Sequence, residues 1–416
     1  MTEPVKRAFR YRFYPSDAQA AELMRTFGCV RTVYNLALQA RTSAWYTERR
    51  RINYVQTSAL LTAWKKTEEY AYLAEVSSVP LQQALRHLQG AFTNFFEKRS
   101  AYPRFKSRKK SRNSAEYTRS AFVYRDGRLT LAKMREPLDI AWSRPLPKGQ
   151  VPSTVTVSRD SAGRWFVSML CEDASVKALP TSRAAVGVDA GITSLVTLST
   201  GEKVVNPKFE KKDRAKLARA QRELSRKKRG SRNHDKARTR VARIHARSAD
   251  RRRDFLHKLS TRLVRENQTI VIEDLAVRNM LKNRALARAI SDASWAELRF
   301  MLEYKARWYG RELIAVDRWY PSSKTCSACG HLVARMPLNI REWTCTACGA
   351  HHDRDENAAK NVLAAGLAVS ACGAGVRPQR RISGRAAGVE AGNLRRSAGQ
   401  RRGVGESPSA ESGEAN

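Results

Sequence analysis

Two cysteine pairs constrain this chain more than any other feature: Cys326-x-x-Cys329 and Cys345-x-x-Cys348, with fifteen residues between them. That spacing brings four thiolates around one tetrahedral zinc ion and predicts a small zinc ribbon over residues 321–350. All four positions are sulfur, so none is left open for water, and the zinc reads as structural rather than catalytic. A redox dithiol would need only one of the pairs. The other three cysteines, Cys29, Cys171 and Cys372, are isolated. Cys29 and Cys171 lie on apolar patterns and read as small hydrophobic residues. His331, His351 and His352 lie close to the thiolates but read as exposed or phosphate-facing side chains, not ligands.

The cysteines are followed at once by H-H-D-R-D-E-N-A-A-K-N, residues 351–361, in which Asp353 and Asp355 open a helical pattern. This acidic start stands in a chain with 78 Lys+Arg against 39 Asp+Glu, a formal net charge of +39. A charge of that size repels itself and calls for a polyanionic partner. At 416 residues and 42% hydrophobic the chain can bury more than one core. Cysteines grouped for metal, no N-terminal signal pattern, and no apolar run of about 18 residues imply a cytoplasmic protein with no membrane partner.

Read in order, residues 5–14 alternate, with Phe9, Tyr11 and Phe13 on one face and basic residues on the other, which predicts a strand. Pro15 stops it, and Ser16 with Gln19 forms a capping box. Helical patterns then run to about residue 99, so residues 16–114 read as a helical insertion ending in the basic run Y-P-R-F-K-S-R-K-K. Residues 115–182 read as short strands of a small barrel or sandwich: Asp126-Gly127 marks a hairpin, and Val155, Val157, Trp165, Val167, Met169 and Cys171 alternate. The first strand, residues 1–15, can join that sheet. Tyr102, Phe105, Tyr117, Phe122 and Tyr124 interleave with basic residues and suit either strand core or RNA contact.

A third region begins near residue 183. Val186 to Gly191 is an apolar strand ending in Asp189, and Thr269 to Asp274 is a buried strand ending in Glu273. Between them, residues 208–258 carry 21 Lys/Arg against 6 Asp/Glu and read as two basic helices broken at Gly230-Ser231. Few aromatics interrupt them, which favours tracking the phosphates of a duplex over stacking on single strands. Leu256, Leu259 and Leu263 read as the start of a separate core-facing helix. Trp295, Leu298, Leu302 and Tyr309 share one helical face, and Leu313 to Val316 form a strand. Residues 369–416 are Gly-, Ser-, Ala- and Arg-rich and read as a disordered tail.

Asp189, Glu273 and Asp355 can converge at one edge of an α/β sheet, since two end strands and the third opens a helix. Converging carboxylates repel unless a cation neutralises them, and their hard oxygens favour Mg²⁺ or Mn²⁺. A pair of such ions could cleave a phosphodiester. Three unrelated acids capping loops would leave the same trace in the sequence.

Taken together, F-R-Y-R-F-Y-P-S-D-A-Q, Y-P-R-F-K-S-R-K-K, G-V-D-A-G, V-I-E-D-L, S-D-A-S-W-A-E-L-R-F, Y-P-S-S-K-T-C-S-A-C-G and H-D-R-D-E-N-A-A-K-N resemble the TnpB family of insertion-sequence nucleases, relatives of type V CRISPR effectors. The resemblance spans most of the chain. It implies a multidomain α/β protein: a RuvC nuclease core of RNase H-like fold (183–320 and 351–368) split by the zinc-ribbon target-nucleic-acid-binding module, and an N-terminal β-barrel wedge domain (1–15 and 115–182) holding a helical recognition domain (16–114). It also implies Asp189, Glu273 and Asp355 as the catalytic, Mg²⁺-binding acids, with Asp353 outside the set. The implied partners are a noncoding guide RNA and double-stranded target DNA, engaged by a monomer that associates with the nucleoid when on DNA. Tyr54, Ser58 and Gln82 fall where the family reads a short DNA motif beside the target. Arg104, Lys106, Arg226, Lys227, Lys228 and Arg229 are the remaining candidate nucleic-acid contacts. A nuclease-inactive regulator on the same scaffold, or a DNA transposase, are the alternative activities.

Overall fold

The computed structural model describes residues 5–371 apart from 110 and 338. Cys372 and the tail lie outside the described residues. Strand β1 (Val5–Phe13) buries Phe9, Tyr11 and Phe13, as its alternation requires. Ser16 then caps α1 (Asp17–Glu48) with Gln19 in a reciprocal capping box. Helices α2 (Tyr54–Trp64) and α3 (Ser78–Phe96) pack with α1 around Val33, Leu38, Leu61, Leu73, Leu85 and Leu88.

The chain then returns to β structure with β2 (Asn113–Thr118), β3 (Phe122–Arg125), β4 (Arg128–Leu131), β5 (Ile140–Ala141), β6 (Thr154–Arg159) and β7 (Trp165–Asp173). Strand β1 pairs with β7 along its whole length, in an antiparallel sheet ordered β2-β6-β7-β1-β5. The β3–β4 hairpin turns on Asp126 and Gly127, both with φ above zero, the geometry of a two-residue hairpin loop. Sheet and hairpin share one core that takes in Tyr117 and Phe122. Those two are therefore core residues, whereas Tyr102 and Phe105 are exposed.

The second sheet comprises β8 (Ala185–Ala190), β9 (Ser194–Leu198), β10 (Lys203–Val205), β11 (Thr269–Glu273) and β12 (Glu312–Val316). Its order is β10-β9-β8-β11-β12, antiparallel through the first three strands and parallel from β8 to β12. Between β10 and β11 lie α4 (Phe209–Ser225) and α5 (Arg232–Glu266); between β11 and β12 lie α6 (Val277–Met280), α7 (Ala287–Ala293) and α8 (Trp295–Tyr309). Val186, Val188, Ile270 and Ile272 point to one face and pack on α5 and α8 through Leu256, Leu259, Leu263, Leu298 and Leu302. Each such buried aliphatic side chain contributes about 1.5–3 kcal/mol. The alternate residues face α9 (Arg354–Ala371), which Val271, Ile314 and Val316 meet through Val362 and Leu363. Strands β13 (Glu342–Thr344) and β14 (His351–Asp353) pair in a short ribbon, and β14 runs straight into α9.

Two expectations change. Leu256, Leu259 and Leu263 do not begin a new helix; they are the last turns of the 35-residue α5. No Gly or Pro separates them from the basic part, so the helix continues while its environment changes from solvent to core. The basic helices are also better paired than their own sequence implies. Arg240 meets Glu223 of α4 at 2.8 Å, Arg252 meets Asp292 at 3.1 Å, Arg253 meets Glu297 at 3.1 Å, and Arg251 pairs with Asp213. These partners come from other elements, which spacing along one helix cannot show. Arg226, Lys227, Lys228 and Arg229, in the connection between α4 and α5, are exposed and form no ion pair with a described residue.

Candidate active site and zinc module

Alternation along the central strands places the first two acids. Gly187 and Val271 face α9, so Asp189 and Glu273, two residues on, fall on the same side. They stand just past Val188↔Ile272, the last paired position of the parallel β8–β11 ladder. Asp355 enters from the first turn of α9. Helix α9 can lie this close because Gly187 has no side chain: a Cβ there would stand 2.1 Å from the carbonyl oxygen of Ala359 and 2.8 Å from Leu363. Gly366 is crowded in the same way by Val271.

The acids act on one another. Burial, then the charges of Glu273 and Asp355, raise the Asp189 carboxyl to about 8. Burial also raises Glu273, partly offset by the Ser322 hydroxyl, which donates to Glu273 Oε1 at 2.8 Å. Asp353 is different. Burial opposes its ionisation, but Lys203 at 2.6 Å and the backbone N–H groups of Glu356 and Asp355 outweigh this and hold it below the usual carboxylate range. It is the N-terminal cap of α9, already occupied. Arg341 approaches Asp355 at 3.5 Å.

A carboxyl raised in the folded state and ordinary when unfolded favours folding at low pH. Its contribution is complete below about pH 4 and is lost as pH rises through about 8. Metal-free protein is therefore expected to lose thermal stability across that window, and Asp189→Asn to flatten the slope. Thermal melts of both proteins in chelator from pH 5 to 9 check this; parallel curves would show that Asp189 titrates normally.

The zinc module is built from two similar turns. In each, the N–H of the first cysteine donates to a carbonyl five residues on: Cys326 to His331 and Cys345 to Ala350, both at 2.9 Å. Gly330 and Gly349 close the turns with φ of 77° and 72°, conformations that other residues resist. The four Sγ atoms lie within 4.8 Å of one another. Cys326–Cys348 and Cys329–Cys345 are each 3.7 Å apart. Four thiolates at about 2.3 Å from one tetrahedral zinc would stand about 3.8 Å apart, so the set fits that ion. Among the described residues this is the one group whose ligand atoms all lie close enough for a single ion; the three carboxylates are not drawn together so tightly. His352, expected to face outward, has its Nε2 3.0 Å from Cys326 Sγ and its ring against Trp343. The β13–β14 pairing turns it inward.

The module is bolted to α9 by two buried asparagines. Asn357 Nδ2 and Asn361 Nδ2 donate to the carbonyl of Thr325 at 2.8 and 2.6 Å, and Asn361 also to that of Ser322 at 2.8 Å. Asn357 Oδ1 accepts from the N–H of Ser327 at 2.8 Å. Ser322 thus joins Glu273, α9 and the zinc turns. None of these contacts was read from the sequence, because the partners lie 30–49 residues apart. A Cys345→Ser protein is expected to lose zinc and to melt at a clearly lower temperature, because structural zinc supplies folding free energy outright. Metal analysis alongside thermal melts checks it; an unchanged melt without zinc would show that the module holds together without the ion.

The candidate nucleic-acid residues are spread over the surface. Tyr54 and Ser58 lie on α2 and Gln82 on the adjacent α3, whose Arg86 donates to Tyr54 Oη at 3.3 Å. Arg104 is exposed. Lys106 is anchored: its backbone exchanges hydrogen bonds with Asn35 at 2.8 and 2.9 Å, and its ammonium lies 3.9 Å from the centre of the Tyr34 ring.

Three family models match: "Probable transposase" of the OrfB IS605 type over residues 157–284, the "Cas12f1-like, TNB domain" over 295–362, and a "Helix-turn-helix domain" over 1–50. The described part of the last stretch is one strand and one long helix. The chain is 72% identical over 383 residues to a protein of Streptomyces pristinaespiralis named "Putative RNA-guided DNA endonuclease", covering 92% of this chain and 95% of that one. It is 36% identical over 394 residues to "Putative RNA-guided DNA endonuclease InsQ" of Escherichia coli K12, covering 90% of this chain and 96% of the relative. In fold it is similar to the protein of a Cas12f1–sgRNA–target DNA complex, with a TM-score of 0.54 at 14% identity over 87% of this chain and 99% of that one. With such similarity along nearly its whole length, the chain belongs to the TnpB family, the OrfB proteins of IS605-type insertion sequences.

Proposed function

We propose that the protein is an RNA-guided DNA endonuclease that cuts double-stranded DNA beside a short motif by two-metal-ion hydrolysis. The observation that carries this reading is the convergence of Asp189, Glu273 and Asp355 at one sheet edge, where burial and then the charges of the other two raise Asp189 to about 8. Such a site favours either a proton on Asp189 or a cation that neutralises the ionised set. The sheet order, with three antiparallel strands followed by two parallel ones, supports an RNase H-like, RuvC-type core. Mg²⁺ or Mn²⁺ held by the three acids would supply the activated water and stabilise the leaving oxygen. Ser322 fixes the Glu273 carboxylate, Gly187 lets α9 present Asp355, and the thiolate module sets the start of α9.

In this reading residues 183–320 and 351–368 form the nuclease core and 321–350 the zinc module. Residues 1–15 with 115–182 form the wedge around the recognition helices of 16–114, where Tyr54, Ser58 and Gln82 read the adjacent motif. Sequence is read by base pairing with a guide, so the protein needs chiefly a positive channel, to which Arg226–Arg229 contribute. Among the described residues no helix is long and apolar enough to cross a membrane. The reading places a monomer on RNA in the cytoplasm, associated with the nucleoid when on DNA. The test is to sequence RNA that co-purifies with the protein and to assay cutting of a matching DNA with Mg²⁺. A bound noncoding RNA and guided breaks are expected. Guided binding without breaks would indicate a regulator, and joined transposon ends a transposase.

A further inference from the structure

Trp319 is 84% exposed, more than any other large hydrophobic side chain among the described residues. It lies in the loop that leaves β12 and enters the zinc module, on the sheet edge that carries the acids. Both neighbours in the loop are fixed. Arg318 is held by Asp274 at 2.6 Å, and Asp274 directly follows Glu273, its N–H donating to the carbonyl of Val316 at 3.0 Å. Tyr320 packs into the core beneath α9. The Trp319 N–H donates to Asp317 Oδ1 at 2.9 Å, closing the turn. Three residues on, Ser322 holds Glu273. Three residues reach at most about 11 Å, so the indole backbone is within that distance of the Glu273 support.

An indole carried into water on a hydrogen-bonded turn offers a large, flat face on a backbone that is already placed. A specific protein partner would have to bury about 1,000 Å² of total surface around it, with an apolar centre, and its neighbours Asp317 and Arg318 are charged. A nucleobase needs only one π-face. Resting on the endonuclease reading above, we propose that Trp319 is a stacking platform for a base of the DNA strand whose phosphate lies at the acids, holding that strand in place for cleavage. Trp319 is a positioning residue: it touches the substrate away from the reacting bond.

The test uses guide-loaded protein. Trp319→Ala is expected to slow cleavage about ten-fold or more, with guided target binding and melting temperature unchanged and Trp319→Phe restoring most of the rate. In parallel, the Asp189→Asn complex is loaded with target strands carrying single 5-iododeoxyuridines and irradiated. Crosslinks at positions next to the cut are expected on the peptide containing Trp319. Wild-type cleavage by Trp319→Ala, or crosslinks that leave that peptide unmodified, would overturn the proposal. Should the wild-type complex cut no guided target, the endonuclease reading fails, and crosslinking of a bare single strand still decides whether Trp319 stacks a base.

Discussion

Asp189→Asn is expected to reduce guided DNA cleavage by at least about 1,000-fold while leaving guide and target binding intact. The loss follows from the role proposed for the metal: charge stabilisation at the reacting phosphate would be worth several kcal/mol, and each 1.36 kcal/mol is ten-fold in rate. Binding is expected to survive because the charge proposed to face the phosphates lies elsewhere, in the α4–α5 connection and the N-terminal half. The amide is close in shape to the carboxylic acid, and at neutral pH without metal the Asp189 carboxyl, raised to about 8, is largely protonated. The fold therefore loses no charge on substitution. Cleavage rates and gel-shift affinities measured side by side check this. A variant that cuts at the wild-type rate would remove Asp189 from the site; one that no longer binds the target would mean that the substitution disturbs the fold.

Gly187→Ala is expected to be nearly as damaging, without touching a charge. One methyl group would stand 2.1 Å from the backbone oxygen of Ala359, a contact no real pair of atoms sustains. The helix has to move, because the obstacle is its backbone rather than a flexible side chain. Overpacking of this kind costs about 1–3 kcal/mol in stability. If Asp355 holds the proposed metal, displacing it by about 1 Å would cost about 100-fold in rate. The expected result is a folded protein with a modestly lower melting temperature and cleavage down about 100-fold. Unchanged cleavage would show that α9 can slide without losing its acid.

These two residues also mark how far the sequence could be read. Asp189 was legible because a carboxylate at the end of an apolar strand is conspicuous, and the thiolates because their spacing states their geometry. The capping box at Ser16 and the Asp126-Gly127 turn are equally local. Gly187 was read only as part of a strand, since its importance lies in a helix more than 170 positions away. Ser322, Asn357 and Asn361 have the same character: each is an ordinary polar residue until the fold brings its partner. The α5 reading failed for another reason. A change from polar to apolar composition suggested a boundary, but only the backbone ends a helix, and nothing in that stretch ends this one.

The asparagine junction has a consequence for exchange of parts. Ser322, Thr325 and Ser327 on one side and Asn357 and Asn361 on the other form one half of a socket. The far end of the module supplies the other half: the carbonyls of Pro337 and Ile340 accept from Arg354, and Arg341 approaches Asp355 at 3.5 Å. A zinc module transplanted from a relative would have to bring both halves with it, or the start of α9 and the carboxylate it carries would shift.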